Sequence, residues 1–150
     1  MKRSQVKTYP LFSADSIDSD SYDASLYPIE FLNSLSVPGL PPHVLNLKIG
    51  APIILLRTID IHSGLCNGTR LIVENIQPHC ITSKIITGPG KNNIALIPRI
   101  NLTPSNTRLP FTFSRRQFPV KLAYAMTINK SQAQSLTKVG IYLPQCVFSH

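Results

Sequence analysis

Residues 44–60, VLNLKIGAPIILLRTID, hold two short aliphatic runs split by Gly50-Ala51-Pro52, and that punctuation decides the fold. An amphipathic helix would return apolar residues every three or four positions without such a break. Short Ile, Leu and Val runs bounded by turn residues read instead as strands. The pattern continues through TRLIVENIQ (69–77), CITSKIIT (80–87) and NIALIPRINL (93–102), with HSGLCNG (62–68), Gln77-Pro78 and GPGKNN (88–93) between them. Five short strands joined by tight or Gly-bearing turns predict a small antiparallel barrel, which hides its edges by closing on itself. Pro98, lacking an N–H inside the fifth run, predicts an edge there.

Outward from this block the pattern changes. Residues 1–28 are polar and acidic, and SADSIDSDSYDAS (13–25) reads as loop or disorder. In YPIEFLNSL (27–35), Ile29, Leu32 and Leu35 recur at helical spacing behind Pro28, which predicts a short helix that SVPGLPPH (36–43) ends. On the other side a linker-like TPSNTRLPFTFSRRQFP (103–119) leads to VKLAYAMT (120–127), an apolar strand candidate. NKSQAQSLTK (129–138) predicts a helix capped by Asn129 or Ser131, and VGIYL (139–143) a second strand. Strand, polar turn, helix and strand make one βαβ unit, too small to cover both faces of a parallel sheet by itself. The expected organisation is a polar segment at 1–28, a helix and loop at 29–43, a barrel at 44–112 and part of an α/β sheet at 113–150. The fold class is α+β and mostly β.

The 150 residues suffice for one ordinary domain, and their 13 prolines, against an average share of roughly 5%, predict a loop-rich chain with few long helices. Cys66, Cys80 and Cys146 are widely spaced, with no Cys-x-x-Cys pair or clustered histidines, and read as reduced, partly buried residues rather than a metal site. The basic start MKRSQVKTYPLFSADS lacks a signal peptide's apolar core, and no run approaches the ~20 apolar residues of a membrane helix. An intracellular chain without a membrane partner is expected.

The net charge of +8 is unevenly placed, because all seven acidic residues (Asp15, Asp18, Asp20, Asp23, Glu30, Asp60 and Glu74) precede residue 75. Residues 75–150 carry nine of the fifteen Lys and Arg and no carboxylate side chain. Such a one-sided segment attracts polyanions, and the usual one is a nucleic-acid backbone.

The chemistry-bearing stretch is the polar loop after the apolar run at 120–127. Thr127, Asn129, Lys130, Ser131 and Gln132 would lie beyond the carboxyl end of a strand, where helix N-termini present free amides to anions. Read from residues alone, this is either a phosphate-gripping loop or a capped helix with an exposed lysine. The GPGK at 88–91 is not a Walker A loop, since Ile85 stands where the first Gly belongs and Asn92 where the Ser or Thr belongs; it reads as a hairpin turn. No acidic pair follows an apolar strand to hold magnesium, and Gly-x-Ser-x-Gly is absent. ATP hydrolysis by these residues alone is not expected.

FPVKLAYAMTINKSQAQSLTKVGIYLPQCVFSH (118–150) closely resembles the late helicase motif and following strand of the petite-integration-frequency family of 5′-to-3′ DNA helicases, in the branch carried by Helitron transposons. SADSIDSD (13–20), residues 27–57 and GLCNGTRLIV (64–73) resemble the same family, so the likeness runs from about Tyr9 to His150. It implies an inserted barrel of the Src-homology type at 44–112 and part of a second RecA-like motor domain from 113. It implies that Thr127, Asn129, Lys130 and Ser131 contact single-stranded DNA, that Gln132, Ala133 and Gln134 face the nucleotide, and that Arg115, Arg116 and Lys121 add basic contacts. Ala133 stands where the family has Gly. ATP and Mg²⁺ belong to the full-length family, whose Walker motifs and arginine finger lie outside these residues, and the missing motor domain is the implied partner in cis. A nuclear location is implied, with the mitochondrion as the alternative. A non-enzymatic nucleic-acid-binding or adaptor module, or a transposon remnant, is the competing reading.

Overall fold

The computed structural model describes residues 7–18, 26–105, 108–125 and 138–142. The described chain is mostly β. In order it forms β1 (Tyr9–Phe12), β2 (Ala14–Ile17), α1 (Ile29–Ser34), β3 (Val44–Leu47), β4 (Pro52–Leu55), β5 (Arg70–Ile76), β6 (Cys80–Ile85), β7 (Ile94–Pro98), β8 (Ile100–Leu102), β9 (Phe113–Gln117) and β10 (Val120–Leu122). The pairings are antiparallel and build a five-stranded sheet in the order β10-β4-β5-β6-β7, a two-stranded ribbon β1-β3, and a three-stranded sheet β2-β9-β8.

The strands predicted from residue 44 onward form where their aliphatic runs lie, because alternation sends one face inward. In β5, Leu71 and Val73 are buried; β6 contributes Ile81 and Ile85, and β7 contributes Ala95 and Ile97. These residues meet Leu11 of β1, Leu45 and Leu47 of β3, Ile53 and Leu55 of β4, and Val120 of β10 in one core. The register of β5 against β6 shifts between Val73 and Asn75, leaving Glu74 as an exposed bulge residue. Pro98 ends β7, the edge of the five-stranded sheet, and the chain then crosses to β8 in another sheet. The fifth aliphatic run is thus two strands rather than one.

A second apolar cluster gathers Leu32 of α1 with Phe111 and Phe113, flanked by Ile17, Tyr27 and Leu35. Here α1 starts at Pro28 without a side-chain cap, carries Glu30 in its first turn and stops at Leu35. Only Leu32 of the helix is fully buried, as expected for so short an amphipathic element.

Three features depart from the sequence reading. Within residues 1–28, read as disordered, the chain forms β1 and β2; their polarity disguised them because the buried residue of β2 is a carboxylate, Asp15. Of the apolar run at 120–127, Val120–Leu122 runs antiparallel to β4 and completes the five-stranded sheet, rather than opening a parallel one. Residues 113–117 pair with β2 and β8 in the three-stranded sheet. Among residues 139–142 no strand forms, and Val139, Ile141 and Tyr142 are exposed. The helix read at 129–138 falls, but for Lys138, outside the described residues.

The 88–93 segment is a turn between β6 and β7, with Gly88 and Asn92 at positive φ. Gly90 lies against the 59–65 loop so closely that an added Cβ would stand 2.4 Å from the carbonyl oxygen of Ser63. Gly64 in turn faces the backbone of Gly90 at positive φ. A Gly90→Ala change therefore has to displace backbone, and it is expected to cost about 1–3 kcal/mol in urea unfolding. An unchanged unfolding midpoint would show that the loop is not held there.

Candidate nucleic-acid interface

The basic residues of β9 alternate in direction, and this separates their fates. Arg116 is exposed, whereas Arg115 points inward and is fully buried. Arg115 grips Asp15 with two parallel bonds, Nε to Oδ1 at 2.9 Å and Nη2 to Oδ2 at 2.8 Å, and donates further to the carbonyls of Pro41 and Leu32. The bidentate fork matches carboxylate geometry, and the two carbonyls take two of the three remaining donors. One side chain thereby ties β9, β2, α1 and the 36–43 segment together. Its charge is neutralised inside the fold, so Arg115 offers no surface contact to DNA.

Ser13, Asp15 and His43 also meet, which raises the question of a hydrolytic triad. Ser13 Oγ lies 2.7 Å from Asp15 Oδ1 and 2.8 Å from His43 Nδ1. In a triad the carboxylate and the serine engage opposite nitrogens of the imidazole. Here the serine and the carboxylate approach the same nitrogen, Nδ1, and Arg115 occupies both carboxylate oxygens, so the group is a structural network.

Beside it, Gln117 is fully buried and donates to the carbonyls of Leu11 and His43, while its own oxygen accepts from Phe118 N–H and Arg99. Arg99 also donates to Pro78 O at 2.8 Å and Phe12 O at 2.7 Å, with its guanidinium 4.5 Å from the Phe118 ring centroid. Each of these partners is neutral. The pKa of Arg99 is held below its usual value, first by burial and then by the nearby Arg116. The sequence reading did not single out Arg99; its only signal was an arginine directly after Pro98, at the start of a new strand.

Lys121 is half-buried on β10, opposite Ile54. The backbone just beyond it is anchored from both sides: Ala123 N–H donates to Pro52 O at 2.9 Å, and Arg70 Nη2 donates to Ala123 O at 3.1 Å. The strand that leads into the polar loop is thus fastened to β4 and β5. Thr127, Asn129, Lys130, Ser131, Gln132, Ala133 and Gln134 lie outside the described residues. Among the described residues no three His, Cys, Asp or Glu side chains cluster as a metal site, and no helix is long and apolar enough to cross a membrane. Cys66 and Cys80 are free thiols, each half-buried.

Residues 30–76, from α1 through β5, match the family model for the 2B domain of the DNA helicase Pif1. The ATP-dependent DNA helicase PIF1 of Danio rerio is 32% identical over 106 residues, covering 67% of this chain and 15% of the zebrafish protein. The Rattus norvegicus enzyme of the same name is 30% identical over 143 residues, covering 87% of this chain and 19% of that protein. The chain thus spans less than a fifth of the length of these relatives. In backbone path it superposes on the Pif1 helicase of Candida albicans with a TM-score of 0.61 over 90% of this chain and 33% of that one, at 23% identity. A structure of two coordinating Pif1 helicases at forked double-stranded DNA gives 0.59 over 86% of this chain and 25% of that one, at 25% identity. With the 2B match on α1 to β5 and sequence likeness extending over most of the remainder, the chain belongs to the Pif1-type DNA helicase family.

Proposed function

We propose that residues 1–150 act as a segment of an ATP-dependent DNA helicase, with a small inserted barrel of the Src-homology type joined to part of a RecA-like motor domain. In this reading the five-stranded sheet and the β1-β3 ribbon form the barrel. The loop at 127–134 holds single-stranded DNA, through Thr127, Asn129, Lys130 and Ser131, with Gln132, Ala133 and Gln134 on the nucleotide side. The observation that carries the reading is the double anchor at Ala123, which fastens the strand entering that loop to β4 and to Arg70. A motor that moves along any sequence needs a firmly held set of amide, hydroxyl and ammonium donors directed at the backbone rather than at base edges.

ATP and Mg²⁺ would be handled elsewhere in the full-length enzyme. Residues 1–150 contain no Gly-Lys-Ser/Thr phosphate loop and no carboxylate side chain after Glu74, so no step of nucleotide chemistry is assigned to them. The motor domain carrying that chemistry is the partner in cis. Such a protein acts where chromosomal DNA lies, which favours the nucleus, and the resemblance carried by residues 118–150 favours the Helitron-borne branch of the family.

The Lys130→Ala change in the 150-residue chain is expected to weaken binding of a fluorescent oligo-dT at low salt. It should also reduce the slope of log affinity against log salt by about 0.7, the share of one phosphate contact on a single strand. Equal affinity and slope for the two proteins would remove Lys130 from the interface.

A further inference from the structure

We propose that a groove between β1 and the 76–78 turn is a second single-strand contact, seating one unpaired base and the phosphate beside it; this rests on the nucleic-acid reading above and adds a site to it. The groove encloses about 510 Å³, within the span of roughly 300–1,000 Å³ usual for small-ligand sites. Tyr9, Pro10, Phe12, Ile76 and Pro78 supply mostly apolar walls, and Lys7 and Arg99 line it beside them. Phe12 is 58% exposed, its ring tilted against that of His43 at 5.8 Å, while its neighbour Leu11 turns into the core. Lys7 holds its ammonium 4.9 Å from the centre of the Tyr9 ring.

Two properties select a nucleotide. Aromatic rings such as those of Tyr9 and Phe12 stack on any base, which is how single strands are held without sequence preference. The second is charge: Lys7 and Arg99 line the groove, Arg116 stands close enough to Arg99 to disfavour its charge, and no carboxylate is among the lining residues. Among the described residues the hydrogen-bond acceptors of Arg99 are three neutral oxygens, so its charge is left for a phosphate to meet. The fork is also preorganised, because the same three bonds and the Phe118 ring fix its plane.

Because Arg99 also holds three backbone segments together, the test uses Phe12→Ala and Lys7→Gln, with Lys130→Ala as the reference variant. The probes are a fluorescent dT octamer and an abasic octamer of the same backbone, titrated into the folded 150-residue chain. The wild-type chain is expected to prefer the dT octamer by about fivefold or more, the effect of one stacked base. Phe12→Ala should erase this preference while leaving abasic affinity in place, and Lys7→Gln should weaken both probes. Lys130→Ala should weaken both and keep the preference. Equal wild-type affinity for the two probes, or a preference that survives Phe12→Ala, overturns the groove. So does displacement of the dT octamer by an oligoglutamate peptide as readily as by unlabelled dT, which would mark a general anion site. If Lys130→Ala is silent while Phe12→Ala erases the preference, the groove stands and the loop assignment fails.

Discussion

Replacing Asp15 with alanine is expected to lower the unfolding free energy by about 3–5 kcal/mol, read as a lower urea midpoint at unchanged slope. The side chains of Asp15 and Arg115 are both fully buried, and the substitution strands a guanidinium that two carbonyls alone cannot neutralise. A small domain has about 5–15 kcal/mol in total, so the variant should be marginal at room temperature. Changing both members, Asp15→Leu with Arg115→Met, should recover most of the loss, because a well-packed apolar pair avoids the desolvation of two ions. If Asp15→Ala unfolds at the wild-type midpoint, the pair is not holding β2 to β9.

The second large effect belongs to the apolar core. Leu71 sits on β5 between Ile53 of β4 and Ile85 of β6, all three essentially inaccessible to solvent. Leu71→Ala should cost about 2–5 kcal/mol, since strands hydrogen-bonded on both sides leave little room to collapse into the cavity. Ile94→Ala on the outer face of β7, 56% exposed, should change stability by less than about 0.5 kcal/mol. Urea unfolding of both variants checks the contrast, and equal losses would contradict the assignment of faces in the five-stranded sheet.

Much of the fold could be read from residues 44–102, because there the buried face is aliphatic and alternation reveals it. β1 and β2 stayed hidden for a physical reason. The inward residue of β2 is Asp15, and a lone carboxylate in a Ser- and Asp-rich stretch looks solvated until its partner, 100 residues away in sequence, is known. The same pair explains why Arg115 and Arg116 looked alike as basic contacts. Adjacent strand residues face opposite ways, and only the pairing of β9 with β2 tells which arginine turns inward. The apolar run after Phe118 signalled a strand correctly but not its direction, since antiparallel pairing with β4 depends on a partner some 65 residues upstream. Arg99 escaped notice because its significance lies in neutral acceptors drawn from three separate segments.

The most direct measurement is the affinity of the 150-residue chain for single-stranded DNA across a salt series, using oligo-dT and a mixed-sequence strand of equal length. A helicase segment that grips the backbone should bind both alike, with log affinity falling linearly in log salt. Absence of binding at low salt, or an affinity that follows base sequence and ignores salt, would contradict it.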